Sequence, residues 1–256
     1  MKQVVFITGA SSGIGFALAQ EYASKGSALA LAARRTELLD SLCGAVGQQG
    51  GEAIALPCDV TDQAQVKHAI AETIARFGRI DLAILSAGIG GPTNASNFKA
   101  DNFERLLRTN LLGVAFCLEE LLPVMRKRGG GTIAAISSLA ADRGFPGSAE
   151  YCATKAALST LFDGLRVELN AQGVRLVTIE PGYVRTPMTE RFGDMPFMMQ
   201  ADEAARLIVR RLERGDRIIR FPLAASAFMK LMRILPVSLF DRIAARRRPI
   251  KTQTLN

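Results

Sequence analysis

The chain has 256 residues, of which 48% are hydrophobic and 22% are charged, with 23 glycines and 10 prolines. This composition excludes collagen-like, coiled-coil and disordered proteins, and the length suits one large α/β domain or two small ones. The net charge of +8 is uneven, because residues 221–251 hold seven basic residues and one acid and so carry +6. The remainder is nearly neutral, so the charge does not favour a nucleic-acid-binding protein.

The four cysteines, Cys43, Cys58, Cys117 and Cys152, are far apart and form no C-x-x-C pair or His/Cys cluster. This spacing supports neither a disulfide framework nor a metal site, and it indicates a reducing compartment such as the cytoplasm. The first residues, MKQVVFITGA, contain a short apolar run ending at glycine, which is typical of a first strand rather than a signal peptide. No apolar stretch reaches the ~18 residues of a membrane-spanning helix.

Apolar runs rich in β-forming residues alternate with helical patterns along the chain. Seven strands are predicted, at residues 4–8, 28–33, 53–57, 82–86, 132–137, 175–180 and 217–221. Six helices are predicted between them, at residues 14–25, 36–49, 62–77, 102–126, 151–172 and 201–213. Most strands are apolar on both faces, as in a parallel sheet that helices cover on both sides. The alternation predicts one doubly wound α/β domain of the Rossmann type, with a seven-stranded parallel sheet.

The first predicted strand leads into the sequence TGASSGIG, residues 8–15, which opens a helix. Glycines here allow a tight turn in which backbone N–H groups and the helix N-terminus face a pyrophosphate. The predicted cofactor-binding residues of this loop are Gly9, Ser11, Ser12, Gly13, Ile14 and Gly15. The alternative is a glycine-rich turn without a ligand, but the position directly after the first strand favours a dinucleotide site.

A second motif is Tyr151-x-x-x-Lys155, near the start of a predicted long helix. The i, i+4 spacing puts both side chains on one face, where the lysine ammonium can lower the pKa of the tyrosine hydroxyl toward neutrality. Ser138 follows the fifth predicted strand, whose carboxyl end should meet the cofactor crevice. Taken singly, these residues could be ordinary helix, surface and turn residues, and Asn110 could be a polar helix residue.

Together these motifs resemble the short-chain dehydrogenase/reductase family over residues 3–220. Asn110, Ser138, Tyr151 and Lys155 match the catalytic tetrad of that family. Further matches to its cofactor-binding positions are Asp59, Val60, Ala87, Gly88, Pro181, Gly182, Val184 and Thr186. The family's Asn-Ala-Gly after the fourth strand reads Ser86-Ala87-Gly88 here, and this departure puts stability in question more than chemistry.

The resemblance implies a nicotinamide-dependent oxidoreductase. Tyr151 would exchange a proton with the carbonyl or alcohol oxygen, Ser138 would hold that oxygen, Lys155 would also bind the ribose, and Asn110 would position a water in a proton relay. It also implies a homodimer or homotetramer that pairs through the helices at 102–126 and 151–172. A non-catalytic dinucleotide sensor or scaffold on the same fold stays open. Epimerases and dehydratases that share Tyr-x-x-x-Lys are disfavoured, because those relatives carry the glycine spacing Gly-x-x-Gly-x-x-Gly and have longer chains.

The second predicted strand ends in Arg34-Arg35, where NAD-binding sites usually carry an acid that binds the ribose 2′-OH. An arginine suits a 2′-phosphate. We therefore expect NADP rather than NAD, with Arg34 as the main contact and Arg35 assisting or stacking on the adenine. The alternative is that both are solvated residues before a helix.

The substrate-side segments are rich in apolar residues. The segment after the sixth predicted strand and the loop between Ser138 and Tyr151 hold Tyr183, Met188, Phe192, Met195, Phe197, Met198, Met199, Leu139, Phe145 and Pro146. Such residues can shape an adaptable apolar pocket, which favours a hydrophobic carbonyl or alcohol substrate. They could instead simply cover the core.

The C-terminal residues 221–256 form a basic amphipathic extension. Phe228, Leu231, Met232 and Leu235 recur at helical spacing, and a second apolar run precedes Arg246, Arg247 and Arg248. This pattern fits peripheral membrane contact through residues 223–248. It equally fits packing on the subunit's own pocket or across a dimer, and both interpretations stay open.

Overall fold

The structure, a computed structural model, describes residues 2–245. Seven strands form one sheet in the order β3-β2-β1-β4-β5-β6-β7, and every neighbouring pair is parallel. The strands are β1 (Val4–Thr8), β2 (Ala28–Ala33), β3 (Glu52–Pro57), β4 (Leu82–Leu85), β5 (Gly131–Ile136), β6 (Val174–Pro181) and β7 (Ile218–Phe221). The predicted doubly wound α/β fold is therefore confirmed.

Nine α-helices connect and extend the strands within residues 2–245. They are α1 (Gly13–Ser24), α2 (Thr36–Gln48), α3 (Gln63–Phe77), α4 (Ala100–Leu107), α5 (Gly113–Arg128), α6 (Ala149–Asn170), α7 (Ala201–Glu213), α8 (Leu223–Ile234) and α9 (Val237–Ala245). The predicted helix at 102–126 is α4 and α5 joined by a π-helical turn, Arg108–Leu112. Such turns frequently occur at functional sites, and hydrophobic periodicity does not reveal them.

Two hydrophobic clusters fill the two faces of the sheet, because its strands are apolar on both sides. Residues of α1, α2 and α7 pack on one face, and residues of α3, α5 and α6 pack on the other. The strand order reverses between β1 and β4. In open parallel sheets, ligands bind beyond the carboxyl ends of the strands at this switch point.

The helices α8 and α9 lie against the loop between Ser138 and Tyr151. The Arg143 guanidinium donates to the carbonyl oxygens of Met232 and Leu235 at 2.7 and 2.8 Å, and it stacks on the Phe240 ring, 3.9 Å from its centroid. One face of the extension thus packs on the protein's own fold. No helix within residues 2–245 is both long and apolar enough to cross a bilayer. The basic residues Arg246, Arg247, Arg248 and Lys251 lie outside the described part of the chain.

Candidate active site

The glycine loop between β1 and α1 forms one wall of a cleft at the carboxyl ends of the strands. Gly9 has a φ of +68°, and a Cβ there would lie 2.8 Å from the backbone of Ala87. A Cβ on Gly15 would lie 2.5 Å from the carbonyl oxygen of Gly9. The predicted loop residues that line the cleft are Gly9, Ser11, Ser12, Gly13 and Ile14. Gly15 instead lies behind them and lets the turn close on itself.

The end of β4 is tied to β1 by Thr8. The Thr8 hydroxyl oxygen accepts hydrogen bonds from the backbone N–H groups of Ser86 and Ala87, at 3.1 and 3.2 Å. These bonds hold the Ser86-Ala87-Gly88 segment next to the glycine loop, and Ala87 and Gly88 line the cleft. Hydrogen bonds to Thr8 therefore connect the ends of β1 and β4 at the switch point. The connection includes Ser86, which stands where the family pattern has asparagine.

Both arginines after β2 line one end of the cleft. Arg35 donates through Nη2 to the hydroxyl oxygens of Ser11 and Ser12, at 3.0 and 2.6 Å. Arg34 is 71% exposed and lies 3.7 Å from a carboxylate oxygen of Asp59. An exposed pair of this kind contributes at most about 1 kcal/mol, so Arg34 can move to another anion at little cost. Asp59 and Val60, which the sequence assigns to the cofactor, line the same end of the cleft.

Ser138, Tyr151 and Lys155 line the cleft together, although Ser138 is on a loop and the other two are on α6. The Ser138 hydroxyl caps a short turn, Leu139–Ala141, by accepting a hydrogen bond from Ala140 N at 3.1 Å. Its donated bond to Pro181 O is long, at 3.4 Å. The hydroxyl also forms a hydrogen bond with Tyr151, so the two hydroxyl groups lie close enough to reach one substrate oxygen.

Burial controls the proton affinities of both motif residues on α6. Desolvation raises the pKa of Tyr151 to about 12, and a hydrogen bond with Ser138 opposes this shift. Desolvation lowers the pKa of Lys155 to about 8. Lys155 is not among the groups that shift the Tyr151 pKa here, so the expectation that it lowers this pKa stays a prediction. The lysine ammonium is directed at Ile136 O, 2.7 Å away, and lies 5.8 Å from the centroid of the tyrosine ring.

Asn110 is fully buried in the π-helical turn and lies behind the cleft wall. Its Nδ2 donates to Ile89 O and Thr154 Oγ1, at 2.9 and 3.1 Å, and its Oδ1 accepts from Ile89 N at 2.8 Å. A Cβ on Gly88 would lie 3.3 Å from Asn110 Oδ1 and 3.6 Å from Lys155 Nζ. The four predicted catalytic residues thus gather at one place, with the Asn110 amide anchoring the loop after β4.

The segment after β6 supplies the last part of the cleft. It places Pro181, Gly182, Val184 and Thr186 on the cleft wall, together with Met188 and Thr189. Thr189 was not predicted from the sequence, although its Thr-x-x-Thr spacing from Thr186 was an available signal. Its hydroxyl donates to Val184 O at 2.6 Å. Met188 is the one residue of the expected apolar set on the cleft wall within residues 2–245.

Phe145, also expected to line the pocket, packs instead on Phe240 of α9, with ring centroids 5.7 Å apart. The substrate-side loop therefore directs an aromatic side chain away from the cleft and toward the C-terminal helices. An apolar residue type alone could not distinguish these two directions.

A buried polar network that was not predicted from the sequence lies behind the cleft. The Ser159 hydroxyl donates to Glu180 at 2.9 Å, and Arg220 forms ion pairs with both Glu180 and Asp142. Glu180 directly precedes Pro181, and Asp142 follows the turn capped by Ser138. Arg220 therefore connects two segments that carry cleft residues. No local sequence signal could identify this network, because its members are dispersed along the chain.

The cleft fits a nicotinamide dinucleotide. A Cβ on Gly9 would collide with the Ala87 backbone, so a glycine is needed for the loop to pack directly on the segment after β4. The side chain of Ser12, the residue before α1, makes no capping bond to the first turn of that helix. The first-turn N–H groups can therefore receive a phosphate. Tyr151 and Ser138 place two hydroxyl groups on the wall of the same cleft.

Comparison with known proteins shows that this chain is similar to oxidoreductases. Residues 3–196 match the family model described as short chain dehydrogenase. The chain is 36% identical over 247 residues to an uncharacterized oxidoreductase of Myxococcus xanthus, covering 96% of this chain and 98% of that protein.

Two solved structures are also similar. A 3-ketoacyl-(acyl-carrier-protein) reductase from Brucella melitensis, complexed with NADH, has a TM-score of 0.80 and 25% identity, covering 88% of this chain and 98% of that chain. An alcohol dehydrogenase from Thermococcus sibiricus, complexed with 5-hydroxy-NADP, has a TM-score of 0.79 and 29% identity, covering 86% of this chain and 95% of that chain.

Proposed function

The chain belongs to the short-chain dehydrogenase/reductase family, and from this premise we propose that it is an NADP(H)-dependent oxidoreductase. It reduces a carbonyl group of a hydrophobic small molecule, or oxidises the corresponding alcohol. The observation that carries the proposal is that Ser138, Tyr151 and Lys155 line the same cleft as the glycine loop and the two arginines after β2. This arrangement supports an enzyme more than a dinucleotide sensor, which needs no proton-transfer residues.

The residues divide the chemistry between them. A bound nicotinamide dinucleotide supplies or accepts the hydride. Tyr151 donates a proton to the carbonyl oxygen during reduction and accepts one from the alcohol during oxidation. Burial raises the pKa of this hydroxyl, which disfavours the charged tyrosinate that would accept a proton during oxidation and favours the neutral donor that reduction needs. Ser138 donates a hydrogen bond to the substrate oxygen and stabilises its developing charge. Lys155 holds the ribose, and Asn110 takes part in the proton relay.

Arg34 supports the preference for NADP(H). It is exposed at the end of the cleft and bound only weakly to Asp59, and no acid precedes Glu37 after β2. Since similar structures hold NADH in one case and an NADP derivative in another, the preference depends on the residues of this chain. We expect kcat/KM with NADPH to exceed that with NADH by at least about tenfold, the effect of ~1.4 kcal/mol of charge-assisted binding.

A matched pair of variants tests this assignment. Arg34→Ala should lower the affinity for NADPH and leave that for NADH nearly unchanged, whereas Lys25→Ala, which removes a cation paired with Glu213, should change neither. Equal kcat/KM for both dinucleotides in the parent, or unchanged NADPH binding by Arg34→Ala, would contradict the proposed specificity. Tight NADPH binding without hydride transfer to any carbonyl would instead favour the sensor function.

The substrate class and assembly complete the proposal. Met188 on the cleft wall supports an apolar substrate, for which kcat/KM should rise across a series of carbonyls of growing apolar bulk; a flat series would contradict it. We propose a homodimer or homotetramer, measurable by sedimentation velocity, in which exposed Val167 on α6 is available for pairing. The four cysteines, all free, support a cytoplasmic location.

A further inference from the structure

The C-terminal helices α8 and α9 have a buried inner face and an exposed apolar outer face. Ser226, Met232, Phe240 and Ala244 are buried on the inner face. Of the fourteen large apolar side chains exposed within residues 2–245, seven lie on these two helices. These seven define the outer face: Leu223, Phe228, Leu231, Ile234, Val237, Leu239 and Ile243. Scattered single apolar residues are normal on a surface, but such a concentration marks an interaction site.

The helices α8 and α9 cannot rotate to bury this outer face against the rest of the protein, because contacts on the inner face hold them in place. Arg143 binds the carbonyl oxygens at the end of α8 and stacks on Phe240. Arg220 donates to Ser226 Oγ at 2.9 Å near the start of α8. Rotating α8 to bury Leu231 or Ile234 would break these contacts. The outer face therefore needs an occupant from outside the described fold.

Charge identifies the chemistry of that occupant. Lys230 and Arg242 are exposed on the same helices, and Arg233 is 69% exposed although it lies 3.8 Å from Asp142. The sequence that follows, RRRPIKTQTLN, adds four basic residues and two large apolar ones, so it adds more positive charge than apolar surface to this end of the chain. Asp241 is the single acid of residues 221–256. The basic extensions of two copies of this chain would repel each other, whereas an anionic lipid surface neutralises their positive charge.

We propose that the outer face of α8 and α9 attaches the protein to an anionic lipid membrane. The exposed leucine, isoleucine, valine and phenylalanine side chains enter the boundary between headgroups and acyl chains, as in interfacial amphipathic helices. The basic residues contact the anionic headgroups, each strengthening binding about fivefold. The attachment is peripheral and reversible, and it does not depend on which substrate or dinucleotide the cleft binds.

Co-sedimentation of the full chain with vesicles tests this proposal. With phosphatidylcholine vesicles that contain phosphatidylglycerol, we expect the protein to sediment at about 0.1 M salt and to be released at about 1 M, where the Debye length falls to about 3 Å. With phosphatidylcholine alone it should stay in the supernatant. A full chain that stays in the supernatant with anionic vesicles overturns the proposal.

Two pairs of variants separate the apolar and basic contributions. Leu239→Ser should weaken vesicle binding several-fold, whereas Leu38→Ser on α2, at a similarly exposed position (43% against 44%), should not. Lys230→Gln combined with Arg242→Gln should weaken binding about 25-fold, whereas Lys99→Gln should leave it unchanged. Dinucleotide binding by every variant shows that it is folded. Equal binding by Leu239→Ser and Leu38→Ser overturns the proposal.

The competing occupant is a second copy of this chain. Sedimentation velocity without lipid should give the same oligomeric state for the parent and for Leu239→Ser. If Leu239→Ser instead dissociates the oligomer and the parent does not bind anionic vesicles, the outer face is a subunit interface and the membrane proposal is wrong.

Discussion

The ammonium group of Lys155 lies 2.7 Å from the carbonyl oxygen of Ile136, the last residue of β5, and donates a hydrogen bond to it. The lysine is only 4% exposed. Because burial disfavours its charged form, its pKa falls to about 8 from 10.5. The residue that would hold the ribose thus loses its proton at a pH not far above neutrality.

This shift predicts a pH dependence of stability. Between about pH 8 and 10.5 the unfolded chain keeps a proton on Lys155 that the folded chain has lost. The free energy of unfolding should therefore increase with pH across this range through this residue. Lys155→Met cannot take up the proton and should lack the contribution. Urea unfolding of the parent and of Lys155→Met, measured at both ends of the range, gives the difference in slope. Lys99→Met, at an exposed lysine, is the control, and equal slopes for the parent and Lys155→Met would refute the prediction.

Tyr151→Phe should lower kcat by about 10²–10⁴-fold, since it removes the hydroxyl that transfers the proton. Its affinity for NADPH should stay close to that of the parent, because the phenyl ring keeps the shape of the cleft. Steady-state kinetics and a binding titration measure the two effects separately. Tyr22→Phe makes the same chemical change on α1, outside the cleft, and should retain kcat. Residual activity of Tyr151→Phe within tenfold of the parent would show that another group supplies the proton.

Arg220→Met should destabilise the fold by about 3–5 kcal/mol, because it leaves Glu180 and Asp142 buried without their cationic partner. Desolvation already raises the pKa of Glu180 against the opposing effect of Arg220. In the variant this pKa should rise further, so the folded state takes up a proton that the unfolded state releases. The loss of stability should therefore be smaller at about pH 5 than at pH 7.

Unfolding by urea at the two pH values measures this effect. Arg206→Met is the control, since Arg206 pairs with Asp202 on the surface of α7, with both side chains well exposed. Removing such a pair costs at most about 1 kcal/mol. A similar loss of stability for both variants would mean that the buried network contributes no more than a surface ion pair.

Gly9→Ala should abolish dinucleotide binding and strongly destabilise the protein, because its Cβ would lie 2.8 Å from the Ala87 backbone. Gly26→Ala separates this collision from backbone strain. Gly26 also has a positive φ, of +75°, but a Cβ there meets nothing within 4 Å. Gly26→Ala should lower the free energy of unfolding by only about 1–2 kcal/mol, which is the strain of an alanine in the left-handed conformation. Thermal unfolding and an NADPH titration compare the variants, and equal effects would show that close approach to Ala87 is unimportant.

The sequence by itself determined the fold class and the local motifs of the site. Strands apolar on both faces, alternating with helical patterns, permit little other than a covered parallel sheet. The glycine loop and the Tyr151–Lys155 pair are also local, because a βα turn and one helical turn bring their residues together without help from the rest of the fold. Ser138 was predictable for a related reason, since the carboxyl ends of parallel strands meet at one edge of the sheet.

Only the tertiary structure decided how distant residues combine. Arg220 meets Asp142 across 78 positions of sequence, and Asn110 meets Thr154 across 44. Whether Lys155 points to Tyr151 or to Ile136, and whether Phe145 faces the cleft or α9, depends on the packing of whole elements around each side chain. Hydrophobic periodicity specifies which face of an element is buried. It does not specify which neighbour that face meets, and the desolvation that shifts the pKa values of Tyr151 and Lys155 follows from those neighbours.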